Sequence, residues 1–215
     1  MNKQSLIFLG SKPIGYRCLE YLIEQQDQLD LQIVGLLTND NPTFNPSLSL
    51  IKLANQYQIP IIESLDEMPQ VDVLYSVQYH EILKPEHIAK ANRIALNLHM
   101  APLPEYRGCN QFSFAILDSK KEFGTTIHLM DQGIDHGDIL AEKRFEIPSN
   151  CWVQDLYTLT ESHSLNLFRE SLADIMQGNM KVISQQSLVA LRGTSIHYRK
   201  EMNEIKQIQL DWDEE

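Results

Sequence analysis

The sequence predicts an α/β fold built on a doubly wound, mostly parallel sheet with a short C-terminal extended segment. Two observations predict it. Short, largely apolar runs recur at Leu6 to Leu9, Leu31 to Leu37, Val71 to Val77 and Ile94 to Leu98, as strands buried on both faces require. Between them lie segments with helical spacing, each a plausible right-handed crossover to a parallel neighbour. In such sheets ligands bind at the carboxyl ends of the strands. Gly10, the loop after Val77, and Asn97 to His99 are therefore expected to converge.

The elements follow in order. The first strand ends in Gly10-Ser11-Lys12-Pro13-Ile14-Gly15. Ser11 suits a helix cap and Pro13 the first turn, and Cys18, Leu19, Leu22 and Ile23 then share one helical face. Thr38-Asn39-Asp40-Asn41-Pro42, after the second strand, has strong turn chemistry. Leu48, Ile51, Leu53 and Ala54 mark a second helix up to about Tyr57, and Ile59-Pro60-Ile61-Ile62 reads as a short third strand. Val71 to Val77 is the fourth strand and Ile94 to Leu98 the fifth, ending at Asn97 and Leu98. Pro85 opens a short helix between them, from Glu86 to about Ala91. Phe112 to Leu117 reads as a helix, and the alternation of Thr125 to Met130 as a strand. Ile139 to Ile147 reads as another strand, ended by Pro148-Ser149-Asn150. A long helix from about Trp152 to Gln177 presents Leu156, Leu159, Phe168, Leu172 and Ile175 to the core, and Gly178 stops it. These elements form a first domain over residues 1–179. From 180 to 215 the chain changes character. Val182-Ile183-Ser184 and Gly193 to Tyr198 read as extended, partly exposed pieces of a β-rich extension.

Composition narrows the function classes. The chain has 215 residues, 43% hydrophobic and 22% charged, which suits one soluble globular domain with a small appendage. No apolar run approaches the roughly 18 residues of a membrane helix. Met1 to Gln4 leads straight into a strand-like run without a cleavage-site pattern, which reads as a mature, cytoplasmic start. Cys18, Cys109 and Cys151 form neither a disulfide framework nor a zinc pattern, and no ligand set for a metal is expected. A formal net charge of -11 argues against the broad phosphate footprint of a nucleic-acid polymer. Part of that charge sits in Asp211-Trp212-Asp213-Glu214-Glu215.

Two short loops carry the chemistry: Asn97-Leu98-His99, and Gly133-Ile134-Asp135-His136-Gly137. An amide can donate to a developing oxyanion, an imidazole can move a proton, and a carboxylate can orient the imidazole. That set suits acyl-type transfer to an amine. The bland alternatives are an Asn satisfying a turn and a loop-bound structural His. Asp131 and Asp138 compete with Asp135. Gly133 and Gly137 favour Asp135, because they let the backbone turn tightly beside a ligand, and Asp131 suits tying the turn. His80, His87, His128, His136, His163 and His197 read mostly as structural, His128 most plainly so. Gly10-Ser11-Lys12 is an incomplete glycine loop at a helix start, a weak anion-site signal. Arg107 is either a contact for an anionic group or a solvated arginine.

The stretch from Asn97 to Gly108, Asn-Leu-His-Met-Ala-Pro-Leu-Pro-Glu-Tyr-Arg-Gly, and the stretch from Met130 to Asp138 closely resemble the N10-formyltetrahydrofolate-dependent formyltransferase family. The family motif is Asn-x-His, a Leu-Pro-x-x-x-Gly loop, and a later Asp-x-Gly-x-Asp-x-Gly loop. All three are present in order. The resemblance implies the Rossmann-like formyltransferase fold, with Asn97, His99 and Asp135 as catalytic residues. It implies N10-formyltetrahydrofolate held by Gln78, Tyr79, His80, Glu81, Ile82 and Leu83 on one side and Asp131, Gln132, Gly133 and Ile134 on the other. Gly10, Ser11, Lys12, Pro104, Tyr106, Arg107 and Asn110 would face the acceptor. The amine would attack the formyl carbon directly, without an acyl-enzyme on Cys109.

Three acceptor classes compete within the resemblance. Methionyl-tRNA formyltransferases carry a further RNA-binding domain, and this chain is short and acidic beside them. Glycinamide-ribonucleotide formyltransferases have a glycine-richer opening loop, part of which Lys12 replaces here. The strings Phe8 to Gly15 and Ala101 to Phe114 look most like sugar N-formyltransferases of the dTDP-4-amino-4,6-dideoxyglucose type, which serve surface polysaccharide (O-antigen) synthesis. That class implies a nucleotide-linked amino sugar as acceptor. The segment from about Met180 to Trp212, with Val182-Ile183, Ile205, Ile208 and Leu210, is too small for a core of its own. It is expected to pair across a homodimer, as sugar N-formyltransferases often do, the alternative being that it folds back on its own sheet. A folate- or sugar-nucleotide-binding module with a dead site is the non-enzyme alternative.

Overall fold

The computed structural model describes residues 3–40 and 46–201. Its strands are β1 (Gln4–Gly10), β2 (Leu31–Leu37), β3 (Val71–Val77), β4 (Ala91–His99), β5 (Arg107–Gly108), β6 (Glu122–Leu129), β7 (Ile139–Glu146) and β8 (Ile196–His197). Its helices are α1 (Lys12–Gln25), α2 (Leu50–Gln56), α3 (Pro85–Ile88), α4 (Gln111–Leu117), α5 (Val153–Gln177) and α6 (Gln185–Arg192). The main sheet runs β2-β1-β3-β4-β6-β7. The pairings among β1, β2, β3 and β4 are parallel; β6 and β7 add an antiparallel edge.

The apolar runs of β1, β3 and β4 become central strands because both faces are covered. Leu6 and Phe8 point into a core shared with Ile14, Leu19 and Leu22 of α1 and Phe168 and Leu172 of α5. Ile7 and Leu9 point the other way, onto Leu37, Leu65, Met68 and Leu74. Phe168 packs on Tyr75 of β3 with ring centroids 5.0 Å apart. Helix α5 spans 25 residues and ends where Gly178 takes φ 76°. A left-handed C-terminal residue is the conformation glycine adopts without steric cost.

Four expectations change. Ile59 to Ile62 makes a single bridge, Leu36 to Ile61, rather than a strand. The run is short, and Pro60 has no N–H to donate. The helix after Pro85 stops at Ile88, since β4 already begins at Ala91. Strand β4 continues to His99, so Asn97 lies inside it rather than at its end. The extension is not simply extended: Gln185–Arg192 is helical, and Gly193 at φ 75° ends it. Gln, Leu, Ala and Arg are good helix formers, and here a helix spans residues where no element was expected. The described part of the extension also lies against the main body. Ile183 bridges to Ile139, and β8 pairs with β5. Ile205, Ile208, Leu210 and Trp212 lie outside the described residues.

Candidate active site

Strand pairing sets the first three groups. Asn97 and His99 project from the same side of β4. The antiparallel ladder sets Asn97 opposite His128 and His99 opposite Thr126 of β6. The Thr125 hydroxyl donates to the His99 carbonyl at 3.1 Å and is held by Ser164 of α5 at 2.7 Å. The Thr126 hydroxyl donates to the Ala101 carbonyl and accepts from the Leu103 N–H, at 2.8 and 3.2 Å. Residues Met100, Ala101 and Leu103 are fully buried. The loop that follows His99 is therefore anchored at its start.

The loop from Asp131 to Asp138 brings in the carboxylate. Asp131 accepts from the Gly133 N–H at 2.8 Å and pairs with His136 at 2.6 Å, closing the turn. Gly137 allows the loop to press on β6, since a Cβ there would lie 2.0 Å from the Leu129 carbonyl oxygen. Asp135 takes φ 45° and turns its carboxylate inward. Its Oδ1 accepts from Asn97 Nδ2 at 3.2 Å, and its Oδ2 accepts from the Gly108 N–H at 2.9 Å. His99 Nδ1 and His128 Nε2 each stand 3.5 Å from the carboxylate.

Burial pushes the Asp135 carboxyl upward, but His99 and His128 together with the Gly108 N–H outweigh it. The carboxyl is held well below the usual carboxylate range. It is therefore ionised at neutral pH. Proton positions follow from the remaining partners. His99 Nε2 faces the Tyr106 carbonyl at 2.9 Å, so Nε2 carries the proton and a neutral His99 keeps its lone pair on Nδ1. His128 Nδ1 faces the Leu129 carbonyl at 2.7 Å, so its Nε2 accepts from Asn97 Nδ2 at 3.1 Å. The result is an amide held by an imidazole and a carboxylate, beside a second imidazole whose Nδ1 stands 3.5 Å from the same carboxylate.

These groups open onto a cavity of about 1170 Å³. That exceeds the range of roughly 300–1,000 Å³ usual for one small ligand and leaves room for two. Gln78, Tyr79, His80, Glu81, Ile82 and Leu83 line one side, and Asp131, Gly133, Ile134 and Asp135 another. Ser11, Lys12 and Asn110 also line the cavity. Gly10, Pro104, Tyr106, Arg107 and Gln132 are not among the residues that line it. The Tyr106 ring is buried, and its hydroxyl donates to Asp118 at 2.5 Å. Arg107 donates to Thr194 at 3.1 Å, and the Pro104 carbonyl accepts from the same hydroxyl. This loop is turned toward the C-terminal segment, a partner that local sequence does not reveal.

Sequence reasoning also missed wall residues, among them Asn39, His128, His197, Tyr198 and Arg199. His128 had one signal, its same-side spacing from Thr126 on an alternating strand. Its pairing opposite Asn97 exists only in the register of β4 and β6. Among the described residues, no group of three or more His, Cys, Asp or Glu side chains could hold a metal ion.

A parallel-sheet core with this amide–imidazole–carboxylate cluster at its carboxyl edge coincides with a family match. Residues 22–172 match the model described as Formyl transferase, and the chain belongs to that family. It is 26% identical over 211 residues to the methionyl-tRNA formyltransferase of Staphylococcus aureus (strain Newman), covering 91% of this chain and 66% of that protein. The chain thus spans just under two thirds of the length of this curated relative. Two solved structures resemble it at 25% identity and a TM-score of 0.80, each covering 97% of this chain. One is WlaRD, a sugar 3N-formyl transferase crystallised in the presence of dTDP and 5-N-formyl-THF, 74% of which is covered. The other is an N-formyltransferase from Helicobacter canadensis in complex with folinic acid and dTDP-3-aminofucose, 75% of which is covered.

The depressed carboxyl of Asp135 has a stability consequence. A carboxylate favoured by the fold contributes stability that is present above its unfolded pKa of about 3.9 and lost as pH falls through the folded value. Urea midpoints measured downward from about pH 5 should fall less steeply for Asp135→Asn than for the wild type. Parallel acid limbs would contradict the assignment.

Proposed function

We propose that this chain transfers the formyl group of N10-formyltetrahydrofolate to the amine of a nucleotide-linked amino sugar. The observation that carries it is the convergence of Asn97, His99 and Asp135 on a cavity large enough for donor and acceptor together. The donor side fits a flat ring. Leu83 and Met130 pack at the edge of the core, and Ile82 stands 72% exposed at the cavity wall, an apolar surface that a pteridine would cover. Folate brings the formyl carbon that the amine attacks.

The chain's residues then divide the work. One of the Asn97 N–H bonds that now go to His128 and Asp135 turns to the formyl oxygen as it gains negative charge. Nδ1 of His99 takes the proton released by the attacking amine and returns it to the leaving nitrogen. Asp135, ionised and 3.5 Å from that nitrogen, stabilises the imidazolium between those two transfers. His128 orients Asn97. Cys109 is not required as a nucleophile, so no acyl-enzyme forms.

The acceptor class is supported by three lines. The neighbours at 25% identity were crystallised with dTDP or a dTDP-linked amino sugar. The net charge of -11 disfavours a tRNA surface, although the curated relatives name methionyl-tRNA. Lys12 and Arg199 supply cations at the cavity wall for a diphosphate. Burial lowers the Lys12 pKa, the Cys109 sulfur opposes this, and Arg199 adds to the lowering, a repulsion that an anion between them would relieve. Surface polysaccharide synthesis in the cytoplasm is part of this reading; the three cysteines are free. A homodimer is too, with a second copy covering the exposed Val182, Ile183 and Leu191.

Purified chain, N10-formyltetrahydrofolate and a panel of dTDP- and UDP-linked amino sugars, run beside methionyl-tRNA, test the function by folate absorbance. His99→Ala and Asp135→Ala should each lose about 10²-fold or more in turnover, the scale of acid–base groups. Full activity in Asp135→Asn, or transfer only to methionyl-tRNA, would overturn the reading. Lys12→Ala and Arg199→Ala should each raise KM for the sugar nucleotide about tenfold and leave KM for folate unchanged, as lost ground-state binding does. An unchanged sugar-nucleotide KM would remove them from the acceptor site. Light scattering should show a dimer; a monomer at high micromolar concentration would exclude it.

A further inference from the structure

We infer that Gln185, at the first turn of α6, is a positioning residue for formyl transfer, acting through the main chain of Asp135. The side chain is buried. Its Nε2 donates to the Asp135 carbonyl at 2.9 Å and to the Gly137 carbonyl at 2.7 Å. Both hydrogens of one amide thus hold both sides of the turn that carries the catalytic carboxylate. The turn needs holding. Asp135 sits at φ 45°, a conformation that a residue with a Cβ keeps only where its surroundings enforce it. Gln185 Oε1 is buried without a partner. A leucine would fill the space without burying that unsatisfied oxygen, so packing alone does not account for an amide here.

The same segment holds the other half of the site. Ser195 accepts from the Tyr106 N–H at 3.0 Å, and its carbonyl accepts from the Arg107 N–H at 3.1 Å. The Tyr106 carbonyl is the acceptor for His99 Nε2. The Cys109 N–H donates to the His197 carbonyl at 2.9 Å, and Gly108 between them turns its own N–H to Asp135. Gly108 has φ +87°, and a Cβ there would lie 2.2 Å from the His197 oxygen. Residues 185–197 therefore hold the Asp135 turn from one side and the His99 loop from the other.

The inference rests on the proposed formyl transfer for its kinetic readout only; a second readout is independent of it. In the full chain, Gln185→Met keeps the volume and removes both donors. It should lower kcat about 10²-fold, the cost of misplacing a catalytic group by about 1 Å. KM for both substrates should stay within about twofold. Exchange of the Gly108 amide proton should quicken about tenfold as its bond to Asp135 loosens. Gln185→Glu should be impaired at neutral pH and should recover relative to wild type as pH falls, because a protonated carboxyl can donate one of the lost bonds. Wild-type kcat and Gly108 exchange in Gln185→Met would overturn the inference. So would a loss that merely follows the unfolded fraction, with no acid recovery in Gln185→Glu. A wild-type chain that formylates no amine would overturn the proposed function instead, and Gly108 exchange would then decide the role of Gln185.

Discussion

The site depends on one buried negative charge. The Asp135 carboxylate accepts from the Asn97 amide and the Gly108 N–H and stands beside two imidazoles. A carboxylate removed from water is costly unless its oxygens are bonded and opposite charge is near. Here the compensation comes from three separate stretches of chain: β4 with Asn97 and His99, β5 with the Gly108 N–H, and β6 with His128. Each must be in register for the charge to be tolerable. Burial alone would raise the carboxyl, and these partners hold it low instead.

The sheet supplies the rigidity this demands. Asn97 and His99 ride on a strand paired on both sides, to β3 and to β6. Thr125, Thr126 and Ser164 add hydroxyl bonds beneath them. Groups held by packed elements keep a reacting geometry better than groups on free loops. The exposed part of the site is the cavity wall, where Ile82 and Arg199 lie open to solvent. A fixed centre with open walls suits a reaction in which two ligands enter and two leave.

Function classes separate on charge and space rather than on the cluster itself. The amide, imidazole and carboxylate serve any amine acceptor. In the proposed reading, acceptors are distinguished by Ser11, Lys12, Asn110, Tyr198 and Arg199, which line the same cavity. They come from the turn after β1, the residue before α4 and the C-terminal segment. The C-terminal segment is therefore part of the cavity.

The sequence by itself determined the strand–helix alternation, the parallel core and the three polar residues, because these depend on local apolar spacing and short motifs. Leu6 to Leu9 reads as a strand buried on both faces, and Gly133 and Gly137 favour Asp135 among three neighbouring aspartates. Tertiary structure alone decided the rest. His128 reads as an ordinary strand histidine until the register of β6 against β4 places it on Asn97. That β8 pairs with β5, and that Arg107 and Pro104 bond Thr194, is set only by the tertiary fold. Gln185 carried no signal, since its two acceptors are backbone carbonyls, and every residue has one. Pairing between distant stretches is set by the packing of the whole chain, and a local pattern does not encode it.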